Sequence, residues 1–365
     1  MSILIFIIIL LVLVVVHESG HFFTAKGFGI RVDEFGFGFP PKAMTLFKKG
    51  ETEYTLNWLP IGGFVKIFGE DPNDENTNGP DKDRSFVNKP KWQQAIVLFA
   101  GIFANFLLAW LLFSIGFMSG LPTSVGSQPK GYILNDVHLT VVSVAEKSPA
   151  ELAGLTSGDK ILSVTSGNDT LLPVDSDTLK PFIVSHPQGI EISYTKGKAQ
   201  EIQKVNIVPT QKEGSDPMIG ISMDEIGVAR LPVFLALKEG MKLNWYVTKT
   251  TAVGLSNLIT DSFHGKGSLS SVTGPVGMVG IVGQAFQFGW AYLFSFAALI
   301  SVNLAIINLI PFPALDGGRL LFLLIEKIKG SRISPNIANA INTVGFALII
   351  LLMIVVTYHD IVKLF

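Results

Sequence analysis

Residues 3–21 read Ile3-Leu-Ile-Phe-Ile-Ile-Ile-Leu-Leu-Val-Leu-Val-Val-Val-His17-Glu18-Ser19-Gly20-His21. Fourteen apolar residues without a charge run straight into two histidines and a glutamate. Ionisable side chains at the end of such a run are costly, at about 2.5–3.5 kcal/mol for a charged group at mid-bilayer. A chain keeps them where they have partners and a function. On a helix, His17 and His21 are four apart and share a face. Two imidazoles on one face can hold one Zn²⁺, with Glu18 beside it to take a proton from water. By average residue usage this spacing arises at random in about one chain in a hundred of this length. Its place at the end of an apolar span is what gives it weight.

The composition agrees with a membrane setting. Of 365 residues, 48% are hydrophobic, and the mean hydropathy is +0.46. A polytopic membrane protein with some water-exposed mass fits these values better than a single globular domain. The net charge of −1 offers no electrostatic case for nucleic acid. There is no cysteine, so disulfides and thiolate metal sites are excluded and any metal must use His, Asp or Glu. No basic stretch precedes the first apolar run, and His17 and Glu18 stand where a small-residue cleavage site would follow it, so a cleaved signal peptide is not expected.

Four segments read as membrane spans: residues 1–26, 93–118, 287–327 and 335–358, each holding the roughly 20 apolar residues a bilayer requires. Residues 287–327 are broken at the centre by Pro311 and Pro313. The loop over residues 27–92 carries nine Lys and Arg, from Arg31 to Lys91, and the loop after the third span carries Arg319, Lys327, Lys329 and Arg332. The positive-inside rule puts both loops in the cytoplasm and both termini outside, with the long segment between the second and third spans external. At about 1.5 Å per residue, His17 lies about 22–24 Å in from the outer end of its span, toward the cytoplasmic side.

Residues 30–39, 43–48, 51–58 and 64–68 are short β-prone runs separated by Gly, Pro and Lys-Gly turns. They predict a small antiparallel unit against or within the bilayer, where hairpins pair their own backbone groups. Residues 70–84 are polar and read as a mobile loop. Residues 131–210 predict one external domain, with strands at 139–144, 160–164, 189–194 and 205–208 and a helix at 178–185. Its stretch Ser148-Pro-Ala-Glu-Leu-Ala-Gly-Leu155 followed by Gly158-Asp-Lys-Ile-Leu162 resembles the core of a PDZ domain; another small β-rich domain is the alternative. Residues 231–286 predict an external amphipathic helical region, with Lys238, Glu239, Lys242 and Lys249 among apolar residues of a helix along the outer membrane face. A fifth span is the other reading.

Catalytic zinc usually takes three protein ligands. Asp316 is the candidate third, because it sits deep in an apolar span, in Asn308-Leu-Ile-Pro-Phe-Pro-Ala-Leu-Asp-Gly-Gly318, where the prolines free the backbone and let a side chain turn inward. The alternative is a helix cap beside the glycine pair.

His17-Glu18-Ser19-Gly20-His21 and residues 308–318 together resemble the bacterial site-2 proteases, intramembrane zinc metalloproteases of regulated intramembrane proteolysis. Leu59-Pro-Ile-Gly-Gly-Phe-Val-Lys-Ile-Phe-Gly-Glu70, Gly274-Pro-Val-Gly277 and the single PDZ-like insert match as well, so the resemblance covers nearly the whole chain in order. One departure is Ala100-Gly101-Ile102, where members of that family often have Ala-Gly-Pro. The resemblance implies zinc held by His17, His21 and Asp316 and Glu18 as general base. It implies Asn105 and Asn308 as polar groups that hold the substrate backbone or the oxyanion. Interhelical hydrogen bonding is the other use of such asparagines. The implied substrates are single-span membrane proteins whose outer domain has already been clipped, such as an anti-sigma factor or a remnant signal peptide. The PDZ-like domain would filter by size. The alternatives are a non-catalytic PDZ-bearing membrane scaffold, which would have no use for Glu18, and a metal transporter, which would need a polar path leading from the site.

Overall fold

In the computed structural model the described residues are 1–71, 73–145, 147–196, 201–211, 215–264 and 273–362. In chain order they form α1 (Ser2–Gly27), β1 (Val32–Lys49), β2 (Thr52–Ile67), α2 (Asp74–Asn78), α3 (Lys91–Ser119), β3 (Leu121–Ser124), β4 (Asn135–Val144), α4 (Pro149–Leu152), β5 (Asp159–Ser166), β6 (Asp169–Leu171), α5 (Ser176–Ser185), β7 (Ile190–Lys196), β8 (Ile202–Ile207), β9 (Ile221–Ala229), α6 (Val233–Phe263), α7 (Pro275–Phe288), α8 (Trp290–Leu309), α9 (Asp316–Lys329) and α10 (Pro335–Val362). They divide into a helical unit, residues 1–114, 240–285 and 293–365, and a sheet unit, residues 115–239 and 286–292.

Four of these helices are long and apolar enough to cross a membrane: α1, α3, α8 and α10. In α1 the buried side chains are Phe6, Leu13, His17, His21, Phe22 and Ala25, a stripe at helical spacing, while Ile3, Leu4, Ile8 and Val12 are exposed. On α10, Val344, Phe346, Leu348, Leu351 and Ile354 are exposed as well. Apolar side chains turned outward along whole helices are stable only in an apolar solvent, as for an integral membrane protein. Helix α1 ends where Gly29, at φ +67°, turns the chain, and Ile30 N–H closes back on Ala25 O at 2.9 Å.

The expected β-prone runs merge into two long segments that cross-pair. Phe35 has Tyr54 on one side and Val65 on the other; Gly36 likewise lies between Thr55 and Phe64, and Phe37 between Leu56 and Gly63. Met44, Thr45 and Lys48 pair with Leu56, Thr55 and Glu53. Residues 63–67 therefore have a strand on one side only, and their other backbone edge is free among the described residues. Val65 and Ile67 hold this edge strand in place by burying against Phe22 and Ala25 of α1, Phe35 of β1 and Val97 of α3. Residues 70–84, expected as a mobile loop, contain the short helix α2, with Asn73 and Asn76 forming a reciprocal capping box.

Two helices approach closely at a glycine. A Cβ on Gly20 would strike the carbonyl of Ala100, so α1 and α3 touch through backbone there. Helix α6 lies against α3 and α8. Its Leu243 and Val247 join the cluster of Ala109, Phe113, Ala298 and Val302, and Asn244 Nδ2 donates to Phe106 O at 3.1 Å. The sequence expectation of a helix along the outer membrane face did not anticipate this contact.

In the sheet unit seven strands run in the order β3-β9-β4-β5-β7-β8, with β6 on β5. Strands β4, β5, β7 and β8 and helix α5 overlap the expected positions, whereas β3 and β9, which pair into the same sheet, lie outside the expected domain at residues 131–210. Leu139, Val141, Ile161, Val164, Leu179, Ile183, Ile190 and Ile192 form the core. The Asp175 carboxylate accepts from the N–H groups of Asp177 and Thr178 to cap α5.

Candidate metal and active site

Two stretches of chain almost 300 residues apart meet at one point. His17 Nε2 and His21 Nε2 are 3.2 Å apart. Asp316 Oδ2 lies 3.1 Å from the first and 3.4 Å from the second. Among the described residues, His17, His21 and Asp316 are the one group of three side chains arranged to hold a metal ion. The histidines come from successive turns of α1. Asp316 is delivered by the break between α8 and α9. Pro311 and Pro313 have no N–H to continue α8, and Ala314 takes φ +72°, its N–H donating to Asn342 Oδ1 at 3.3 Å. Helix α9 then begins at Asp316, and Gly317 and Gly318 let its first turn lie directly on the broken backbone. A Cβ at Gly317 would strike Leu309 O and Ile310 O, and one at Gly318 would strike Phe312 O.

The donors suit zinc. Ligands at about 2.0–2.2 Å on a tetrahedral ion stand about 3.3–3.6 Å from one another, close to the 3.1, 3.2 and 3.4 Å found. Asp316 Oδ2 is buried and makes no hydrogen bond. A carboxylate oxygen aimed at two imidazole nitrogens makes sense when all three lone pairs converge on a cation. The His21 ring is oriented for that. Its Nδ1 is 2.8 Å from Val97 O, and a carbonyl only accepts, so the proton sits on Nδ1 and Nε2 keeps its lone pair.

The donors open onto a cavity of about 610 Å³. Glu18, Asn105, Asn308 and Arg319 line it, as does the edge strand from Gly63 to Ile67. A Cβ on Gly63 would sit 3.9 Å from Glu18 Cγ, so the Glu18 side chain and the edge strand are neighbours. Asn308, one residue before the end of α8, lies on the cavity wall. Asn105, on α3, places its side-chain nitrogen 3.2 Å from His17 Nδ1.

Some site residues were not read from the sequence. Gly101 is one: a Cβ there would strike His21 Nε2. Its place four residues before Asn105 was the available signal. Arg319 is another. Its guanidinium pairs with Glu70 across the cavity wall, tying the end of the edge strand to the first turn of α9. Ser301 of α8 donates to Asn105 O at 2.8 Å.

Residues 5–352 match the model of Peptidase family M50, so the chain belongs to that family. It is 30% identical over 441 residues to the zinc metalloprotease RasP of Geobacillus kaustophilus, covering 100% of this chain and 98% of that protein. It is 32% identical over 448 residues to the RasP of Shouchella clausii, covering 100% and 99%. The RasP of Oceanobacillus iheyensis is 31% identical over 443 residues, covering 99% and 98%. The chain is a metalloprotease of the M50, or site-2 protease, family and an integral membrane protein.

The ligand set is open to a direct test. Elemental analysis of the detergent-purified protein is expected to give about one zinc per chain, as for a single catalytic site. Asp316→Ala is expected to lower that occupancy severalfold at equal zinc supply. Unchanged zinc in the variant would remove Asp316 from the site.

Proposed function

We propose that this protein is an intramembrane zinc endopeptidase that cuts peptide bonds within the transmembrane segment of single-span membrane proteins whose outer domain another protease has already removed. One observation carries the reading: the His17, His21 and Asp316 donors converge beside Glu18 in a cavity bordered by a free strand edge, with both histidines on a helix apolar enough to cross a bilayer. Zinc supplies a Lewis acid that polarises the scissile carbonyl and makes a water easier to deprotonate. His17, His21 and Asp316 hold it. The Glu18 carboxylate accepts the water's proton and returns it to the departing amide nitrogen. Asn308 on the cavity wall donates its side-chain N–H to the substrate backbone or the developing oxyanion. A pure scaffold would have no need of the Glu18 carboxylate. Zinc in the names of the RasP relatives supports the same metal here.

A helical substrate has its amides already paired, so something must hold it extended at the zinc. Residues 63–67 suit that role, because their unpaired edge borders the cavity and strand addition uses main-chain bonds independent of sequence. The sheet unit, PDZ-like in its predicted core sequence, serves as a filter that admits only substrates with a small outer remnant. An anti-sigma factor or a remnant signal peptide fits this description. The distribution of Lys and Arg argues that the loop over residues 27–92 is cytoplasmic, with both termini and the sheet unit outside.

Three outcomes test the proposal. Glu18→Gln keeps the side chain's shape but cannot take the proton. Cleavage of a single-span substrate should fall by at least about 100-fold with zinc still bound; substantial residual cleavage would point to another base. Val65→Pro removes one backbone N–H. Cleavage of a transmembrane substrate should drop sharply at unchanged zinc content and thermal stability, and persistence of that cleavage would end the strand-addition idea. For orientation, a reporter fused after Phe365 should read as external and one inserted near Asn78 as cytoplasmic, and the reverse pattern would overturn the charge argument.

A further inference from the structure

Asn105 is fully buried on α3, and its hydrogen bonds do not balance as placed. Its Nδ2 faces His17 Nδ1 at 3.2 Å, while its Oδ1 is buried with no hydrogen-bond partner. An amide N–H can only donate, so in this orientation His17 Nδ1 would have to accept. The proton of a neutral imidazole would then sit on Nε2, the atom that faces His21 and Asp316. A protonated Nε2 has no lone pair for a metal. The same orientation leaves a buried carbonyl oxygen orphaned, which costs about 1–3 kcal/mol. A half-turn of the amide about its Cβ–Cγ bond removes the tautomer conflict and gives the oxygen a donor, because it brings the oxygen to the position now held by the nitrogen, the nitrogen taking the place the oxygen leaves. Oδ1 then accepts from His17 Nδ1–H, and Nε2 is free to bind.

We propose that Asn105 is a positioning residue for the metal: its side-chain oxygen accepts the Nδ1 proton of His17 and so fixes the tautomer that presents Nε2 to zinc. This rests on the zinc reading given above and assigns Asn105 a role different from a contact with substrate. The two histidines then have matching supports. Val97 O holds His21 Nδ1–H at 2.8 Å, and Asn105, two turns further along the same helix, holds His17. Helix α3 thus carries both outer acceptors. Asn105 is itself held in register, since Ser301 Oγ of α8 donates to its backbone oxygen at 2.8 Å, and Ser301 is also fully buried. Gly101 completes the arrangement. It stands between the two supports on α3, where the lack of a side chain leaves room for the His21 ring. Outer hydrogen bonds of this kind commonly change metal affinity about 10–100-fold when removed.

The test is zinc competition against a calibrated chelator, using the full-length protein in detergent. Asn105→Leu keeps the bulk but removes the acceptor, and zinc affinity should fall about 10–100-fold. Asn105→Asp keeps an acceptor and cannot donate, so its affinity should return to within about threefold of wild type, a rescue that a packing role would not produce. Wild-type affinity in Asn105→Leu, or an Asn105→Asp variant as weak as Asn105→Leu, overturns the proposal. His17→Ala, run in parallel, separates the two levels of the argument. If it loses zinc while Asn105→Leu does not, only the role of Asn105 falls; if it keeps zinc, the zinc site itself is wrong. A second measurement needs no substitution at Asn105. In full-length protein with ¹⁵N-labelled histidine, stripped of metal and held at alkaline pH, the His17 nitrogen shifts should report the Nδ1–H tautomer. An Nε2–H tautomer for His17 would contradict the proposal even if both variants failed to fold.

Discussion

Two imidazoles and a carboxylate held 3.1–3.4 Å from one another are the constraint that the rest of the helical unit serves. Each donor has to be brought there by backbone that would otherwise run as regular helix. For the histidines the helix itself is enough, because a spacing of four puts them on one face. For Asp316 it is not. A continuous helix through residues 290–329 would have kept the aspartate on a cylinder with no reason to face α1. The Pro311–Pro313 break and the glycine pair that follows let a new helix start at Asp316.

Close approach follows from the same constraint. Gly20 lets α1 and α3 meet through backbone, and Gly101 leaves the space that the His21 ring fills. With the helices this near, a main-chain carbonyl of α3 can reach His21, and a side chain of α3 can reach His17. The β segments are also drawn to this point. Val65 and Ile67 pack on α1 and α3, which sets one free strand edge beside Glu18, and the Glu70–Arg319 pair fixes the end of that strand to the helix that carries Asp316. The three converging donors, Glu18 and the edge strand are therefore linked by short contacts on α1, α3 and α9.

Much of this was legible in the sequence because it depends on local spacing. The apolar runs defined the spans, His17 and His21 defined a half-site by their separation, and Pro311, Pro313 and the Gly317–Gly318 pair marked where a third ligand could turn inward. Strands β4, β5, β7 and β8 and helix α5 of the sheet unit fall at stretches expected from the sequence, while β3, β6 and β9 do not. What escaped depends on pairing at a distance. Nothing local says that Phe35 takes partners from both Tyr54 and Val65. The α6 contact with α3 and α8 was not expected, because charged residues such as Lys242 pointed to a helix along the outer membrane face, whereas Asn244 finds the carbonyl of Phe106. Helix α7, which begins at Pro275, was absorbed into one amphipathic region. A buried asparagine such as Asn105 has many possible partners, and only the atom it faces distinguishes a ligand support from a substrate contact.

The central claim, that a zinc site of this chain cuts peptide bonds inside a membrane segment, is tested most directly by mass spectrometry of the products. The purified protein is incubated with a single-span substrate carrying a short outer tail, with and without a zinc chelator. The account predicts two fragments whose new ends fall within the substrate's transmembrane segment, lost on chelation and restored by added Zn²⁺. Cleavage confined to the tails, or cleavage inside the segment that chelation leaves untouched, would contradict it.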